Sequence, residues 1–276
     1  MTYKIERLGH LGDGVAAGPV FADRTLPGEV ITGDLYGDRL SDVRIVTPSD
    51  MRISPKCPAY KRCGGCALHH AHDDFVSTWK QGVVTRALSA QGINAEVGAI
   101  HTSPANSRRR AKLTGHRTKK GAVVGFLGRA SDTIQPIQGC MILHPTILEM
   151  IPSLEEFTST FGSRKGRLGF WILVTDTGLD IAVDGLVAPR DQSLSNYAEW
   201  AAQHGLARLS IGDEVVCQLT DPILTFGTVR VSPPPKAFTQ ATTNGEAALQ
   251  SAVARAVGDA KSILDLFAGC GTLGLP

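Results

Sequence analysis

Three cysteines lie close together in the first quarter of the chain, and their thiol groups have the chemistry to bind a metal. Cys57, Cys63 and Cys66 fall within ten residues, and Gly64 and Gly65 separate the last two. Thiolates bind soft metals, and four of them can hold either zinc or a four-iron cluster. Zinc sites commonly use two Cys-x2-Cys pairs, but only one such pair occurs here. The spacing therefore favours an iron–sulfur cluster with a distant fourth ligand, while His69 and His70 leave zinc as the alternative.

A glycine-rich turn near the end of the chain is the second candidate site. Residues 262–267 form a short apolar run that predicts a strand, and Gly269 and Gly271 follow it. A strand that leads into Gly-x-Gly begins many α/β nucleotide-binding folds, because glycine lets the backbone turn sharply and approach a ligand closely. On this motif alone, an ordinary strand-to-helix turn is the alternative.

A stretch of positive charge between His101 and Ala130 contains no acidic residue. Arginine and lysine side chains suit phosphate contacts, and arginine can also stack on bases. A solvated loop face is the alternative reading of such a stretch. The basic residues are Arg108, Arg109, Arg110, Lys112, Arg117, Lys119, Lys120 and Arg129.

Turn residues and hydrophobic patterns predict three domains in an α+β chain. Short strands between Gly and Pro turns predict a small OB-like β-barrel over residues 1–52. Residues 53–235 contain the cysteine loop, a predicted helix at 73–91 and a mostly β pattern with helices near 145–157 and 194–205. Three prolines at 233–235 mark a stiff boundary. Residues 236–276, with a predicted helix at 243–257, then read as the beginning of a Rossmann-like α/β domain.

The composition is that of packed domains. The chain has 276 residues and a formal net charge of +2, so its overall charge does not by itself indicate nucleic acid. There is no secretory leader pattern and no apolar run of the roughly 18 residues that a membrane helix needs. We therefore expect a cytoplasmic protein with no membrane partner and no obligate protein partner.

These motifs together resemble the iron–sulfur-containing RNA 5-methyluridine methyltransferases, which use S-adenosyl-L-methionine (SAM). The resemblance rests on Cys-Pro-x4-Cys-Gly-Gly-Cys from Cys57, on Gly-Cys-Met-Ile-Leu-His-Pro around Cys140, on Phe-Thr-Gln at 238–240 and on Asp-Leu-Phe-Ala-Gly-Cys-Gly from Asp265. The amino-terminal pattern, Leu-Gly-x-x-Gly-Asp-Gly-Val followed by Leu-Pro-Gly-Glu, is similar to a TRAM domain, an RNA-binding barrel.

The resemblance implies two cofactor sites and an RNA substrate. It implies a 4Fe-4S cluster bound by Cys57, Cys63, Cys66 and Cys140. It implies SAM contacts from Gln240, Phe267, Gly269 and Thr272, although Thr272 stands where relatives often have Asn. The implied activity is methylation of uridine C5, and the combination of TRAM domain and cluster favours 23S ribosomal RNA over transfer RNA.

In that family a cysteine thiolate adds to uracil C6, C5 then attacks the SAM methyl group, and a base removes the C5 proton. These catalytic groups follow the glycine-rich turn at a distance. We therefore expect them beyond Pro276, and we expect the chain to be a truncated fragment that is inactive alone. Cys217, in an apolar strand pattern, and Cys270, in the cofactor turn, are not expected to be the nucleophile. The alternative function is a non-catalytic iron–sulfur or zinc protein that binds RNA.

Overall fold

The computed structural model describes residues 1–186 and 191–276. The chain divides into two compact units, Met1–Ile100 and His101–Pro276, and each is described by itself. Among the described residues, no helix is long and apolar enough to cross a membrane.

The first unit begins with a closed five-stranded barrel. Its strands are β1 (Thr2–Leu8), β2 (Gly14–Ala16), β3 (Val20–Ala22), β4 (Val30–Tyr36) and β5 (Arg39–Thr47). They follow one another around the barrel in the order β1-β2-β3-β5-β4, and the parallel pair of β3 and β5 closes it. The barrel interior is filled by small and branched apolar side chains: Ile5, Ala16, Val20, Ala22, Ile31 and Leu40. The predicted barrel is confirmed.

The buried carboxylate of Glu29 holds the segment that follows β5 against the barrel. Glu29 is fully buried, and its oxygens accept hydrogen bonds from the backbone N–H groups of Leu26 and Ser49. The Arg52 guanidinium donates to the same carboxylate through Nε and Nη2, and Nη2 also donates to the Arg24 carbonyl. A buried charge needs such partners, since burial without them is costly. The barrel is thereby tied to the segment that leads into the cysteine loop.

The cysteine loop ends at helix α1 (Asp73–Ala90), which confirms the helix predicted at 73–91. A bridge between Arg52 and Ala71 joins the two ends of the loop. Asp73 and Asp74 lie in the first helical turn, where negative charge is favourable to the helix dipole. No residue of α1 is fully buried.

The second unit is built on a seven-stranded sheet in the order β12-β11-β10-β9-β6-β7-β8. The strands are β6 (Arg110–Arg117), β7 (Ala122–Leu127), β8 (Ile134–Pro136), β9 (Leu168–Thr175), β10 (Gly178–Asp184), β11 (Arg208–Ile211) and β12 (Glu214–Gln218). Helix α2 (Pro145–Phe161) packs on β6, β7 and β9, while α3 (Asp191–Gln203) packs on β11 and β12. The mostly β pattern predicted for this region, with two helices, is confirmed.

Aromatic side chains fill the space beneath the two helices. Phe157 of α2 is fully buried and contacts the rings of Phe161, Phe170, Tyr197 and Trp200. Tilted and edge-to-face contacts of this kind are favoured between aromatic rings. They connect the two helices to the sheet in one core.

The opposite face of the sheet carries a short hairpin, β13 (Leu224–Phe226) and β14 (Val229–Val231). Leu224 and Phe226 are fully buried against Leu173 of β9. The chain then passes through the prolines, where the buried Arg208 side chain binds both oxygens of Asp180 and donates to the Pro233 carbonyl at 2.7 Å.

Helix α4 (Thr243–Val257) begins at Thr242, whose hydroxyl accepts a hydrogen bond from the Gly245 N–H. This confirms the helix predicted at 243–257. The strand predicted at 262–267 is wrong, because residues 261–276 form turns and irregular backbone. A β-strand requires a hydrogen-bonded neighbour, and among the described residues no strand pairs with this segment. Its apolar side chains are exposed instead: Ile263, Leu264, Leu266 and Phe267.

Candidate functional site

Tyr60 organises the cysteine loop from inside. Its side chain is buried, and its hydroxyl donates to the Ala67 carbonyl at 2.8 Å and lies 2.5 Å from His70 Nδ1. His70 is also buried, and desolvation, assisted by the positive charge of Arg52, lowers the pKa of its imidazole to about 4. This histidine is therefore neutral at physiological pH, and the Tyr60–His70 pair holds the two ends of the loop together.

The candidate ligand cysteines are partly exposed. The Cys63 N–H donates to the Ala59 carbonyl, and the Gly65 N–H approaches Cys63 Sγ at 3.4 Å. An N–H group beside the sulfur suits a thiolate, and thiolates are the ligands that iron clusters use. Within residues 1–186 and 191–276, however, no three metal-ligating side chains are gathered at one point. The donor type fits a cluster, but the four-ligand geometry does not appear.

Cys140 belongs to the second unit and lies in a tight turn. Its N–H donates to the Ile137 carbonyl, and Asn106 Nδ2 donates to the carbonyls of Cys140 and Leu143 at 3.1 and 3.3 Å. Gly139, within this turn, has a φ of 76°, and Asn106, in the neighbouring segment, has a φ of 56°; Gly and Asn tolerate such positive angles best. Asn106 therefore fixes the backbone around this thiol.

Arg109 ties the segment containing Gln240 to strand β6. Its backbone N–H donates to the Ala241 carbonyl at 2.8 Å, and its Nε lies 3.5 Å from the Gln240 carbonyl. Its Nη2 donates to Glu246 of α4 at 2.6 Å, and both side chains are 8% exposed. Burial raises the pKa of Glu246, and the positive charge of Arg109 opposes that rise. Arg109 thus anchors the backbone of residues 240–246 through both its main chain and its side chain.

Neither Arg109 as an anchor nor Glu246 was identified from the sequence. Arg109 stands in a run of three arginines and was counted with the basic stretch. The available signal was its alternation with the apolar residues that follow, because Arg109, Ala111 and Leu113 are all buried while Arg108 and Lys112 are exposed. Residues two apart on a strand share a face, so Arg109 faces inward.

The other predicted cofactor residues are in different surroundings. Phe267 is fully exposed with φ of 61°, and Gly269 is exposed with φ of 59°. Thr272 is 9% exposed, and its carbonyl accepts from Gln250 of α4 at 3.0 Å. Among the described residues, the Gln240 side chain makes no hydrogen bond to Phe267, Gly269 or Thr272.

The two remaining cysteines are poor candidates for a nucleophile. Cys270 packs beside the Leu173, Leu224 and Phe226 cluster, and burial raises the pKa of its thiol, which disfavours the thiolate. Cys217 lies on β12 opposite Leu209. For Cys270 the raised pKa is the property that counts against a nucleophile.

The exposed part of the basic stretch lies on the face of β6 that points away from α2. Arg110 lies over the ring of Phe238, with its Cζ 4.6 Å from the ring centroid, and Lys112 Nζ lies 4.3 Å from the centroid of Trp171. Lys119 and Lys120 are exposed in the turn between β6 and β7. The stretch is thus partly structural, through Arg109, and partly a charged surface.

Comparison with known proteins gives the family. No family model matches the chain. An uncharacterized RNA methyltransferase of Rhizobium meliloti (strain 1021) is 38% identical over 99% of this chain and 68% of its own length. One of Mesorhizobium japonicum is 33% identical over 99% of this chain and 66% of its length. The 23S rRNA (uracil(1939)-C(5))-methyltransferase RlmD of Marinomonas sp. (strain MWYL1) is 30% identical over 100% of this chain and 66% of its length.

The fold has a solved counterpart. The crystal structure of the Pyrococcus abyssi tRNA (uracil-54, C5)-methyltransferase in complex with S-adenosyl-L-homocysteine matches with a TM-score of 0.70 and 21% identity. The match covers 99% of this chain and 69% of that one. The chain thus spans about two thirds of the length of the relatives it matches. On the strength of the Rhizobium relative, the chain belongs to the RNA methyltransferases.

Proposed function

We propose that the protein methylates C5 of uridine in RNA, with SAM as the methyl donor. The observation that carries the proposal is the match of the whole chain to a 23S rRNA uracil-C5 methyltransferase at 30% identity. The fold likeness to a tRNA uracil-C5 enzyme is in keeping with it. We propose 23S ribosomal RNA as the substrate, because the Marinomonas relative, at 30% identity, is a methyltransferase of that RNA.

In the proposed reaction a cysteine thiolate adds to C6 of uracil, which makes C5 nucleophilic. C5 attacks the methyl group of SAM, S-adenosyl-L-homocysteine leaves, a base removes the C5 proton and the thiolate is expelled. We do not assign the nucleophile to Cys270, because burial raises the pKa of its thiol.

We further propose that this chain supplies part of the SAM site. The proposed contacts are Gln240, Phe267, Gly269 and Thr272. The anchoring of residues 240–241 by Arg109 supports a role that requires a fixed backbone there. The exposure of Phe267 leaves its ring available to a ligand or to a neighbouring element. In this scheme residues 1–52 form a TRAM-like barrel, 53–235 a central domain and 236–276 the start of a Rossmann-like domain.

The activity has a direct test in the purified protein. RNA transcripts labelled with tritium at uridine C5 should release tritium when SAM is added, because methylation displaces the C5 proton. Gln240→Ala should lower kcat/KM for SAM at least tenfold, as expected for loss of a hydrogen bond to a charged ligand. Gln203→Ala, on α3, is the matched control and should be unaffected. No release from ribosomal or transfer RNA would refute the proposal.

We also propose a 4Fe-4S cluster on Cys57, Cys63, Cys66 and Cys140, with a structural role. The chain's part would be to supply four thiolates, and the Gly65 N–H beside Cys63 supports that role. Methyl transfer from SAM needs no added electron, so we propose no redox step. The alternative, a zinc site in a non-catalytic RNA-binding protein, is less favoured because the relatives are methyltransferases.

Anaerobically purified protein should be brown and contain about four iron and four sulfide per chain. Cys63→Ser should lose most of that iron, because a thiolate ligand is removed. Cys217→Ser, which changes another partly exposed cysteine, should retain it. Stoichiometric zinc without iron in the original protein would show that the cluster assignment is wrong.

A further inference from the structure

Two cations of β6 cover aromatic rings on the face of the seven-stranded sheet that points away from α2. The side of β6 against α2 is identified by Gly115, where an added Cβ would meet Thr158 and Phe170. Even-numbered residues of β6 point to the opposite side. Arg110 and Lys112 therefore share the face that also carries the β13–β14 hairpin over Leu173, and they lie over Phe238 and Trp171, respectively. We call these four residues the stacking surface.

The rings of the stacking surface are accessible and held in place. Phe238 is 67% exposed, so the side of its ring away from Arg110 is open to solvent. Trp171 is partly exposed, and its Nε1–H donates to Asp184 at 2.7 Å. Lys236 binds the other oxygen of Asp184 at 2.6 Å. An indole ring fixed in this way loses little freedom when a planar ligand stacks on it, which favours binding.

The arginine side of the surface carries positive charge, whereas Lys112 lies within electrostatic range of the Asp184 carboxylate. Arg108 lies beside Arg110, and burial together with that neighbouring charge lowers the pKa of Arg110, which remains charged at neutral pH. Within the described parts of the chain, neither arginine forms an ion pair with an acidic side chain. An anion bound here would relieve the repulsion between the two guanidinium groups.

Aromatic rings together with arginine and lysine match the two parts of a nucleotide, a flat base and a phosphate. Arg110 and Lys112 are two residues apart on a strand, which places their Cα atoms about 6.8 Å apart. Protein recognition of RNA sequence targets unpaired bases that can stack on aromatic side chains.

We infer that the stacking surface binds unpaired nucleotides of the RNA, with bases on Trp171 and Phe238 and phosphates at Arg110 and Lys112. The inference rests on the proposed function in one respect, that RNA is the substrate. It adds which structural class of RNA segment is bound and by which face of the sheet. Arg109, buried on the other side, takes no part in the contact.

The test uses the 276-residue chain at fixed ionic strength, with a 20-nucleotide oligouridine and with its duplex on oligoadenosine as probes. Oligouridine should quench tryptophan fluorescence and bind more tightly than the duplex. Trp171→Ala and Lys112→Met should each weaken oligouridine binding about five- to hundredfold, the range known for loss of a stacked base. Trp171→Phe should keep the affinity while losing most of the quenching. Lys119→Met, an exposed lysine in the neighbouring turn, should change the affinity less than twofold.

The outcomes separate this inference from the proposed function. If oligouridine binds but Lys112→Met, which lies on the surface and should fold normally, binds as well as the original protein, the stacking surface is wrong. Equal affinity for the duplex would also overturn it. If neither RNA binds to any variant, the RNA-directed function itself is in question, whatever the role of Trp171.

Discussion

At the scale of single residues, Glu29 is a buried charge of the barrel whose carboxylate depends on its hydrogen-bond partners. It is fully buried, and Arg52 and two backbone N–H groups satisfy its oxygens. Burial acts to raise the pKa of this carboxyl, but the hydrogen bonds and the charge of Arg52 outweigh it, so the pKa is lowered from 4.5. A carboxyl whose pKa is lower in the folded state stabilises the fold above its unfolded pKa.

Glu29→Gln should therefore destabilise the protein by about 3–5 kcal/mol at neutral pH, because it leaves the partly buried Arg52 without its carboxylate. In the original protein this contribution should be lost as pH falls below about 4.5 and through the lower folded pKa. Thermal unfolding followed from pH 7 to pH 3 measures both effects. Glu6→Gln, at an exposed position of β1, is the control and should leave the curve unchanged. A Glu29→Gln curve parallel to that of the original protein would contradict the assignment.

Residue types alone predict some features of the candidate site and not others. The cysteine loop and the basic stretch are visible in the sequence because their chemistry lies in the residue types themselves. The alternation of Arg109 with Ala111 and Leu113 indicates which of three successive arginines faces inward, but it does not identify the buried partner, Glu246. Glu246 is 137 residues away from Arg109, beyond the reach of any local pattern.

At the scale of elements, the Arg109–Glu246 pair joins β6 to α4 through the segment between residues 240 and 246. A buried pair of charges costs most when only one partner is removed. Arg109→Met should therefore loosen the first turn of α4, while Arg109→Met combined with Glu246→Met should recover part of the stability, since both charges are then gone.

Amide hydrogen exchange measures this prediction. Protection of residues 240–246 should fall in Arg109→Met and return in part in the double variant. Arg208→Met is the matched control, since Arg208 forms an equally buried pair with Asp180. It should lower the overall stability without a selective effect on residues 240–246. Unchanged protection in Arg109→Met would show that the pair does not hold this segment.

The elements themselves were largely predictable, and the exception has a physical cause. Four helices and most strands follow hydrophobic periodicity and turn residues. The apolar run at residues 262–267 has the composition of a strand, yet the structure leaves it as irregular backbone. Composition reports the tendency of a segment to be buried in a sheet, whereas strand formation needs a partner at hydrogen-bonding distance.

At the scale of the whole molecule, the sequence predicts the barrel and the mostly β centre, and the structure confirms both. The division at residue 100 into two compact units was not visible, because α1 and the cysteine loop group with the barrel through contacts that a linear pattern does not contain. Motif resemblance did identify the family. The cofactor residues could be named only individually, since their meeting depends on tertiary structure.

The two outer strands of the seven-stranded sheet differ from its interior in a way that bears on how the protein behaves at high concentration. β8 is three residues long and ends in Pro136, which has no N–H group to offer a further strand. β12 pairs with an irregular register and begins at the exposed Glu214. The barrel, being closed, has no free edge. Strand-by-strand growth into fibrils is therefore obstructed at both ends of this sheet, where a longer and more regular outer strand would recruit its copies.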